Sequence, residues 1–320
     1  MKPNETEKAP LTVISGFLGA GKTTYLNALI QQGIPEDSLI VINDFGDINI
    51  DAELIEHRDD RMIQLTNGCL CCTLGGTLAE QLAQAMRLKE APRAVFIETS
   101  GVADPSRIAD LARVSQRLAF NEIVCLVDGS QVESHRADPL VGETWHAQIR
   151  AATRLLVNRL SELDEPQDQL GVLRDLNPLA IIEPMTERGG ASLEAQPIQL
   201  QVRSSVTPTA TGAALHDAAK GPVGWRSASL AMPNAVDVER LQALLLEHAD
   251  VLLRAKGFVQ CRHLQRRQLL QLSGRRLVWQ PAPAAGRNQL VCIGRAGQRF
   301  ESLLAALGRL GQRQNSGEKS

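Results

Sequence analysis

No apolar run in this 320-residue chain reaches the ~18 residues that a membrane span needs, so the sequence predicts no membrane partner. Charge of one sign is also missing. Lys and Arg number 34 against 36 Asp and Glu, and the formal net charge of −2 argues against binding nucleic acid by bulk electrostatics. Met1 to Pro10 is polar and lysine-containing, without the apolar core of a secretory leader, and a cytoplasmic protein is expected. Cysteine is scarce and uneven: of six, three crowd into Cys69, Cys71 and Cys72, which is no disulfide framework. The six histidines are scattered, and none is assigned as a ligand. The remaining composition, 43% hydrophobic and 22% charged, is that of an ordinary globular protein. Its length favours about two domains.

The most informative segment is Gly16-Phe17-Leu18-Gly19-Ala20-Gly21-Lys22-Thr23. The pattern Gly-x-x-x-x-Gly-Lys-Thr is that of a phosphate-binding loop, whose glycines allow a turn with its N–H groups aimed at a polyphosphate. Lys22 would reach the β- and γ-phosphates, and the Thr23 hydroxyl would ligate magnesium. The short apolar run Leu11–Ser15 precedes the loop and an amphipathic stretch from Thr24 to Ile30 follows it. That places the loop at a helix N-terminus, where the dipole favours phosphate. Gly16, Gly19, Ala20, Gly21, Lys22, Thr23 and Thr24 are therefore the expected nucleoside triphosphate contacts.

Strand-like runs recur at Leu11–Ser15, Leu39–Asn43, Ala94–Glu98, Ile123–Asp128, Leu155–Asn158 and Ala180–Glu183. Helix-period stretches lie between several of them, for example Leu74 to Leu88 and Ser106 to Leu118. Such alternation predicts an α/β fold, a P-loop NTPase core with a mostly parallel sheet, over residues 1–200. Most runs end in polar groups, among them Asn43-Asp44, Glu98-Thr99, Asp128 and Asn158, and ligands bind at that edge of such a sheet. Residues 201–224 read as a Gly-, Ser-, Thr- and Pro-rich linker. In 225–320 a smaller α+β domain is expected. Asp237 would cap a helix through Leu252 ending near Gly257. Strands would follow at Phe258–Arg262, Gln268–Leu272, Arg276–Gln280 and Leu290–Gly294, with Ser273-Gly274 in a hairpin turn and a closing helix from Phe300 to Leu310.

The second sharp feature is Asn67-Gly68-Cys69-Leu70-Cys71-Cys72-Thr73. Three thiols within four positions cannot all enter a core, and thiolates bind zinc, copper(I) or cobalt. Cys69 and Cys72 also have the spacing of a redox pair, with a third cysteine beside it. Cys125 and Cys292 sit in apolar runs and read as buried small hydrophobes.

Taken in order, four segments of the first half resemble the CobW-type metallochaperone GTPases: the phosphate loop, Asn43-Asp44-Phe45-Gly46-Asp47, Gly68-Cys69-Leu70-Cys71-Cys72 and Glu98-Thr99-Ser100-Gly101-Val102-Ala103-Asp104-Pro105. Arg254-Ala255-Lys256-Gly257-Phe258 and Ile293-Gly294-Arg295 resemble motifs of that family's C-terminal domain. The resemblance spans nearly the whole chain. It implies a GTP-hydrolysing enzyme that binds zinc or cobalt at Cys69, Cys71 and Cys72 and hands it to a client apo-metalloprotein. Glu98 would hold magnesium with Thr23, Gly101 would meet the γ-phosphate, and Asp44 and Asp47 would belong to the first switch. Lys22, Glu98 and Asp44 are the expected catalytic groups.

Two departures from the family stand out. Its base-reading Asn-Lys-x-Asp appears here as Asn158-Arg159-Leu160-Ser161. A hydroxyl accepts poorly from the two N–H groups of guanine's edge, so GTP is implied by resemblance and ATP stays open. Asn158 and Arg159 remain expected nucleotide contacts, with the Arg159 stem and guanidinium over the base, and Glu162 or Asp164 as substitute carboxylates. The histidine-rich tract of many relatives is also missing. The basic stretch Arg254, Lys256, Arg262, Arg266, Arg267, Arg275 and Arg276 reads as solvated faces. Two other functional readings stay open, a metal-responsive switch acting through partner binding and a P-loop small-molecule kinase. The sequence leaves a homodimer open.

Overall fold

The computed structural model describes residues 8–43, 62–65, 82–83, 85–87, 91–185, 224–262, 266–282 and 286–312. The first half builds a parallel sheet from β1 (Ala9–Gly16), β2 (Ser38–Asn43), β3 (Met62–Leu65), β4 (Ala94–Glu98), β5 (Leu118–Asp128), β6 (Arg154–Asn158) and β7 (Ile181–Pro184). Their order is β3-β2-β4-β1-β5-β6-β7, and every pairing is parallel. Between them run α1 (Lys22–Gln32), α2 (Ser106–Val114), α3 (Val132–Ala137), α4 (Pro139–Ala151) and α5 (Pro166–Leu176).

Alternation along each strand divides the core into two layers. Ile14, Ile42, Val124, Leu126 and Leu156 face Tyr25, Leu26 and Leu29 of α1. Leu11, Val13, Ile97, Cys125 and Leu155 face the other way, in the cluster that holds Ile108 of α2 and Val141, Trp145 and Ile149 of α4. Because helices cover both faces, β1 is buried from Leu11 onward and carries no polar outer row. Strand order reverses at β1, which has β4 on one side and β5 on the other, and the crevice of such a sheet opens there.

A second, antiparallel sheet follows, ordered β11-β10-β9-β12-β8. It comprises β8 (Trp225–Ala231), β9 (Leu252–Gln260), β10 (Arg267–Ser273), β11 (Arg276–Pro281) and β12 (Gln289–Arg295). Leu241 and Leu245 of α6 (Val238–Glu247) and Phe300, Leu303 and Leu307 of α7 (Gln298–Gln312) pack on Ala255, Val259, Leu270, Leu290 and Cys292. The Asp237 carboxylate caps α6 by accepting from the Arg240 N–H at 3.0 Å. Among the described residues no helix is long and apolar enough to cross a membrane.

Several expectations need correction. The helix begun at Asp237 stops at Glu247, and Leu252 opens a strand instead of continuing it. Leu241, Leu245 and Leu252 do share one core, but β9 satisfies its backbone by pairing with β10 on one side and β12 on the other. The apolar spacing across 241–252 fits both structures, and the pairing decides. Likewise α2 ends at Val114, and Leu118 begins β5. Strands β3 and β8 were not foreseen. The basic stretch is only partly solvated: Lys256 and Arg267 are each 5% exposed. Arg267 lays its guanidinium 4.1 Å from the Phe258 ring centroid and donates to the Arg287 carbonyl, which is how a buried cation is tolerated. The linker assigned to 201–224 lies outside the described residues except for Gly224.

Among the described residues the two halves share an apolar cluster. Trp225 and Ile293 of the second belong to the same buried cluster as Phe17 and Val132 of the first. The Phe17 ring meets Trp225 edge-on at 5.8 Å and His135 at 4.7 Å. Arg295 pairs with Asp138, which also caps α4 by accepting from the N–H groups of Leu140 and Val141. Burial drives the His135 pKa from 6.5 down to about 4 against the opposing pull of Asp138. Unfolded chains therefore take up a proton that the folded protein refuses, and stability falls as pH drops from 6.5 toward 4. Replacing His135 by Gln should bring the urea-unfolding midpoints at pH 7 and pH 5 closer together than in the wild type. An unchanged gap would show that His135 is not the group responsible.

Candidate nucleotide site

The phosphate loop leaves β1 at Gly16 and enters α1 at Lys22. Gly21, the N-cap, is left-handed at φ 97°, and no side chain caps the helix. An uncapped N-terminus presents N–H groups and a positive dipole end, the setting that suits phosphate. Lys22 is 6% exposed, and its ammonium donates to the carbonyls of Gly16 at 2.9 Å and Phe17 at 3.2 Å. The Thr23 hydroxyl donates to Glu98 Oε1 at 2.9 Å, so a residue at the start of α1 meets the last residue of β4. From β6, the Asn158 amide donates to the Ala20 carbonyl at 2.8 Å. Ends of three strands thus converge on one loop. Thr24 is exposed. Ser15 Oγ, Thr99 Oγ1 and Asn158 Oδ1 are buried here without a partner among the described residues. Orphaned polar atoms of this kind fit a site completed by a polar ligand.

The segment after β4 lies directly against the loop. A Cβ on Gly101 would stand 2.5 Å from Leu18 Cδ2, 2.8 Å from Leu18 N and 2.9 Å from Leu18 Cα, so only glycine fits. Gln148, fully buried on α4, donates its amide to the carbonyls of Gly101 and Ala103, each at 3.1 Å. Asp104 accepts from the N–H and hydroxyl of Ser106, the first residue of α2.

On the β5–β6 side, Asp128 accepts from the Ser130 N–H and hydroxyl through one oxygen and pairs with the Arg159 guanidinium through the other. Arg159 is a non-glycine residue held at φ 55°. Its pKa is pulled down by burial first and by the charge of Arg276 next, with Glu162 opposing. Ser161 is exposed, and Glu162 two residues beyond Asn158-Arg159-Leu160 pairs with Arg276 of β11 at 3.0 Å.

Of the residues singled out from sequence, Gly16, Gly19, Ala20, Gly21, Lys22, Thr23, Glu98, Gly101, Asn158 and Arg159 lie around this one loop. Asp44, Asp47, Cys69, Cys71 and Cys72 lie outside the described residues, as does most of the stretch Leu74–Leu88. Among the described residues no group of three His, Cys, Asp or Glu side chains is placed to hold a metal. Cys125 and Cys292 are buried, and burial pushes both thiols up to about 12, as inert core residues require. Asp128 was expected only as a polar group at the ligand-binding edge of the sheet, and Gln148, Ser273 and Arg276 escaped the sequence reading as parts of the site. Gln148 carried a faint signal, a polar residue between Trp145 and Ile149 on the apolar stripe of α4. The two hairpin residues carried none.

Residues 10–183 match the CobW/HypB/UreG nucleotide-binding domain, and residues 225–310 match the cobalamin synthesis protein cobW C-terminal domain. The chain is 27% identical to the zinc chaperone CobW of a Sinorhizobium species, over 90% of this chain and 93% of that protein. It is 26% identical to the zinc chaperone YjiA of Escherichia coli, over 78% of this chain and 81% of that one. Among solved structures, Zn(II)-bound YjiA GTPase from E. coli aligns with 95% of this chain and 99% of its own, at 20% identity and a TM-score of 0.42.

Proposed function

The chain belongs to the CobW/HypB/UreG family, and on that premise we propose that it is a GTP-hydrolysing metallochaperone that carries zinc or cobalt to a client apo-metalloprotein. The observation that carries the enzymatic half is the convergence of Lys22, Thr23 and Glu98 at an uncapped helix N-terminus. In this reading Lys22 and the loop N–H groups neutralise charge that develops on the transferred phosphoryl group. Thr23 and Glu98 supply hard oxygen donors of the kind magnesium requires and would hold that cation, which would supply charge neutralisation to phosphoryl transfer. Gly101 offers its N–H to the γ-phosphate, and Asp44 stands in the first switch. Asn158 and Arg159 flank the base.

The transported ion is cargo, and Cys69, Cys71 and Cys72 are its proposed ligands. Zinc is supported by the names of the relatives, two of them zinc chaperones, and cobalt by thiolate chemistry alone. The cysteines lie in sequence between the proposed switches, so ordering those loops around a γ-phosphate would alter thiol geometry, and hydrolysis would release the ion.

The test is hydrolysis of GTP and of ATP by the purified protein, each with and without one equivalent of zinc or cobalt. A GTP-selective rate that responds to metal is expected. Indifference to both base and metal would defeat the reading. Cys71→Ser should weaken zinc binding sharply while basal hydrolysis stays nearly intact, as a competition titration with a chromogenic chelator would report. Unchanged zinc affinity in that variant would remove the thiolate site from the scheme.

A further inference from the structure

We propose that the second sheet supplies a positioning residue to the nucleotide site: Ser273, at the tip of the β10–β11 hairpin, holds the phosphate loop in register with Gly101. The proposal deepens the nucleotide reading above and rests on it.

The Ser273 hydroxyl donates to the Leu18 carbonyl at 3.0 Å, across 255 residues of sequence. At Gly19 the loop turns with φ +79°, and a Cβ there would lie 2.1 Å from Ser273 Oγ and 2.4 Å from Ser273 Cβ. The hairpin therefore fills the space beside the loop. Leu18 is the element between: its carbonyl is held by Ser273, and its N, Cα and Cδ2 are what Gly101 packs against. The tip is itself fixed, with the Gly274 N–H donating to the Leu253 carbonyl at 3.1 Å and Arg276 pairing with Glu162 beside Arg159.

A second tether reaches the same glycine from α4. Arg295 pairs with Asp138 at the start of α4, and Gln148 further along that helix holds the carbonyls of Gly101 and Ala103. Gly101 thus lies between two elements that the second sheet anchors. Any movement that a γ-phosphate imposes on Gly101 is passed to the hairpin, and by linkage the seating of the hairpin acts back on the phosphate loop. Lys22 is seated on the carbonyls of Gly16 and Phe17, whereas Ser273 holds that of Leu18, so ground-state nucleotide binding should survive loss of the hydroxyl.

Two measurements on the full-length protein decide the matter. In steady-state GTP hydrolysis, Ser273→Ala should lower kcat by about three- to tenfold, the worth of one hydrogen bond, with KM and the thermal midpoint little changed. Ser273→Thr, which keeps the hydroxyl, should restore most of the rate. In hydrogen exchange, amides of residues 267–281 should become better protected when a non-hydrolysable GTP analogue binds. An unchanged kcat in Ser273→Ala, a loss that Thr does not rescue, or hairpin amides indifferent to the bound analogue would each overturn the proposal. A wild-type chain that turns over no GTP would defeat the hydrolytic reading instead, and the exchange pattern would then decide by itself whether the hairpin belongs to the nucleotide site.

Discussion

Lys22→Ala is expected to lower kcat for GTP by more than about a hundredfold, the scale on which one preorganised transition-state donor acts. The Lys22 ammonium is held inside the loop by the carbonyls of Gly16 and Phe17, beside an uncapped helix N-terminus, so it needs little reorganisation to face a phosphate. Water cannot replace it well, because the side chain is buried and the screening there is weak. Alanine also strips two carbonyls of their donor, and part of the loss could come from a loosened loop. A thermal midpoint measured beside the rate separates these contributions. Zinc binding should be largely retained, since a protonated ammonium offers a metal ion no lone pair and the proposed ligands are Cys69, Cys71 and Cys72. Hydrolysis that persists within about tenfold of wild type would mean that this loop is not where phosphoryl transfer occurs.

What could be read from the chain beforehand followed the range of the interactions. Ala94–Glu98 was legible to the residue, because a strand buried on both faces is written as one apolar run closed by a polar residue. The phosphate loop was equally plain, since loop, lysine and hydroxyl are neighbours in sequence. In the second half, local pattern misled. Leu241, Leu245 and Leu252 fit one helical stripe and do share a core, but the ladder with β12 claims Leu252 for β9. Strand β8, edge of its sheet and with side chains mostly half-buried, had too weak an alternation to see. Gln148 and Ser273 could not be found from sequence, because their partners are 47 and 255 residues away. A glutamine in an apolar stripe signals only that some buried acceptor exists, not which one.

Gly101→Ala should produce the second large effect, a fall of about a hundredfold in kcat while nucleotide affinity stays near wild type. The Leu18 side chain could swing away from the new methyl group, but Leu18 N and Cα, 2.8 and 2.9 Å from it, belong to the backbone. That backbone is held by Ser273, and the carbonyls of Gly101 and Ala103 are held by Gln148. Neither partner can yield without breaking a hydrogen bond, part-buried at Ser273 and buried at Gln148, so the 99–105 segment must shift and carry the Gly101 N–H away from the proposed γ-phosphate position. Binding of the diphosphate, which lacks that phosphate, should hardly notice. Fluorescent GDP and GTP-analogue titrations beside single-turnover hydrolysis would resolve the two. Combining the substitution with Ser273→Ala adds a sharper criterion. If Leu18 is the shared element, releasing its carbonyl lets the loop retreat from the methyl group, and the double variant loses less than the two single losses multiplied. Strict multiplicativity would mean that the hairpin and Gly101 act on hydrolysis independently, and full activity in Gly101→Ala alone would mean that its N–H takes no part.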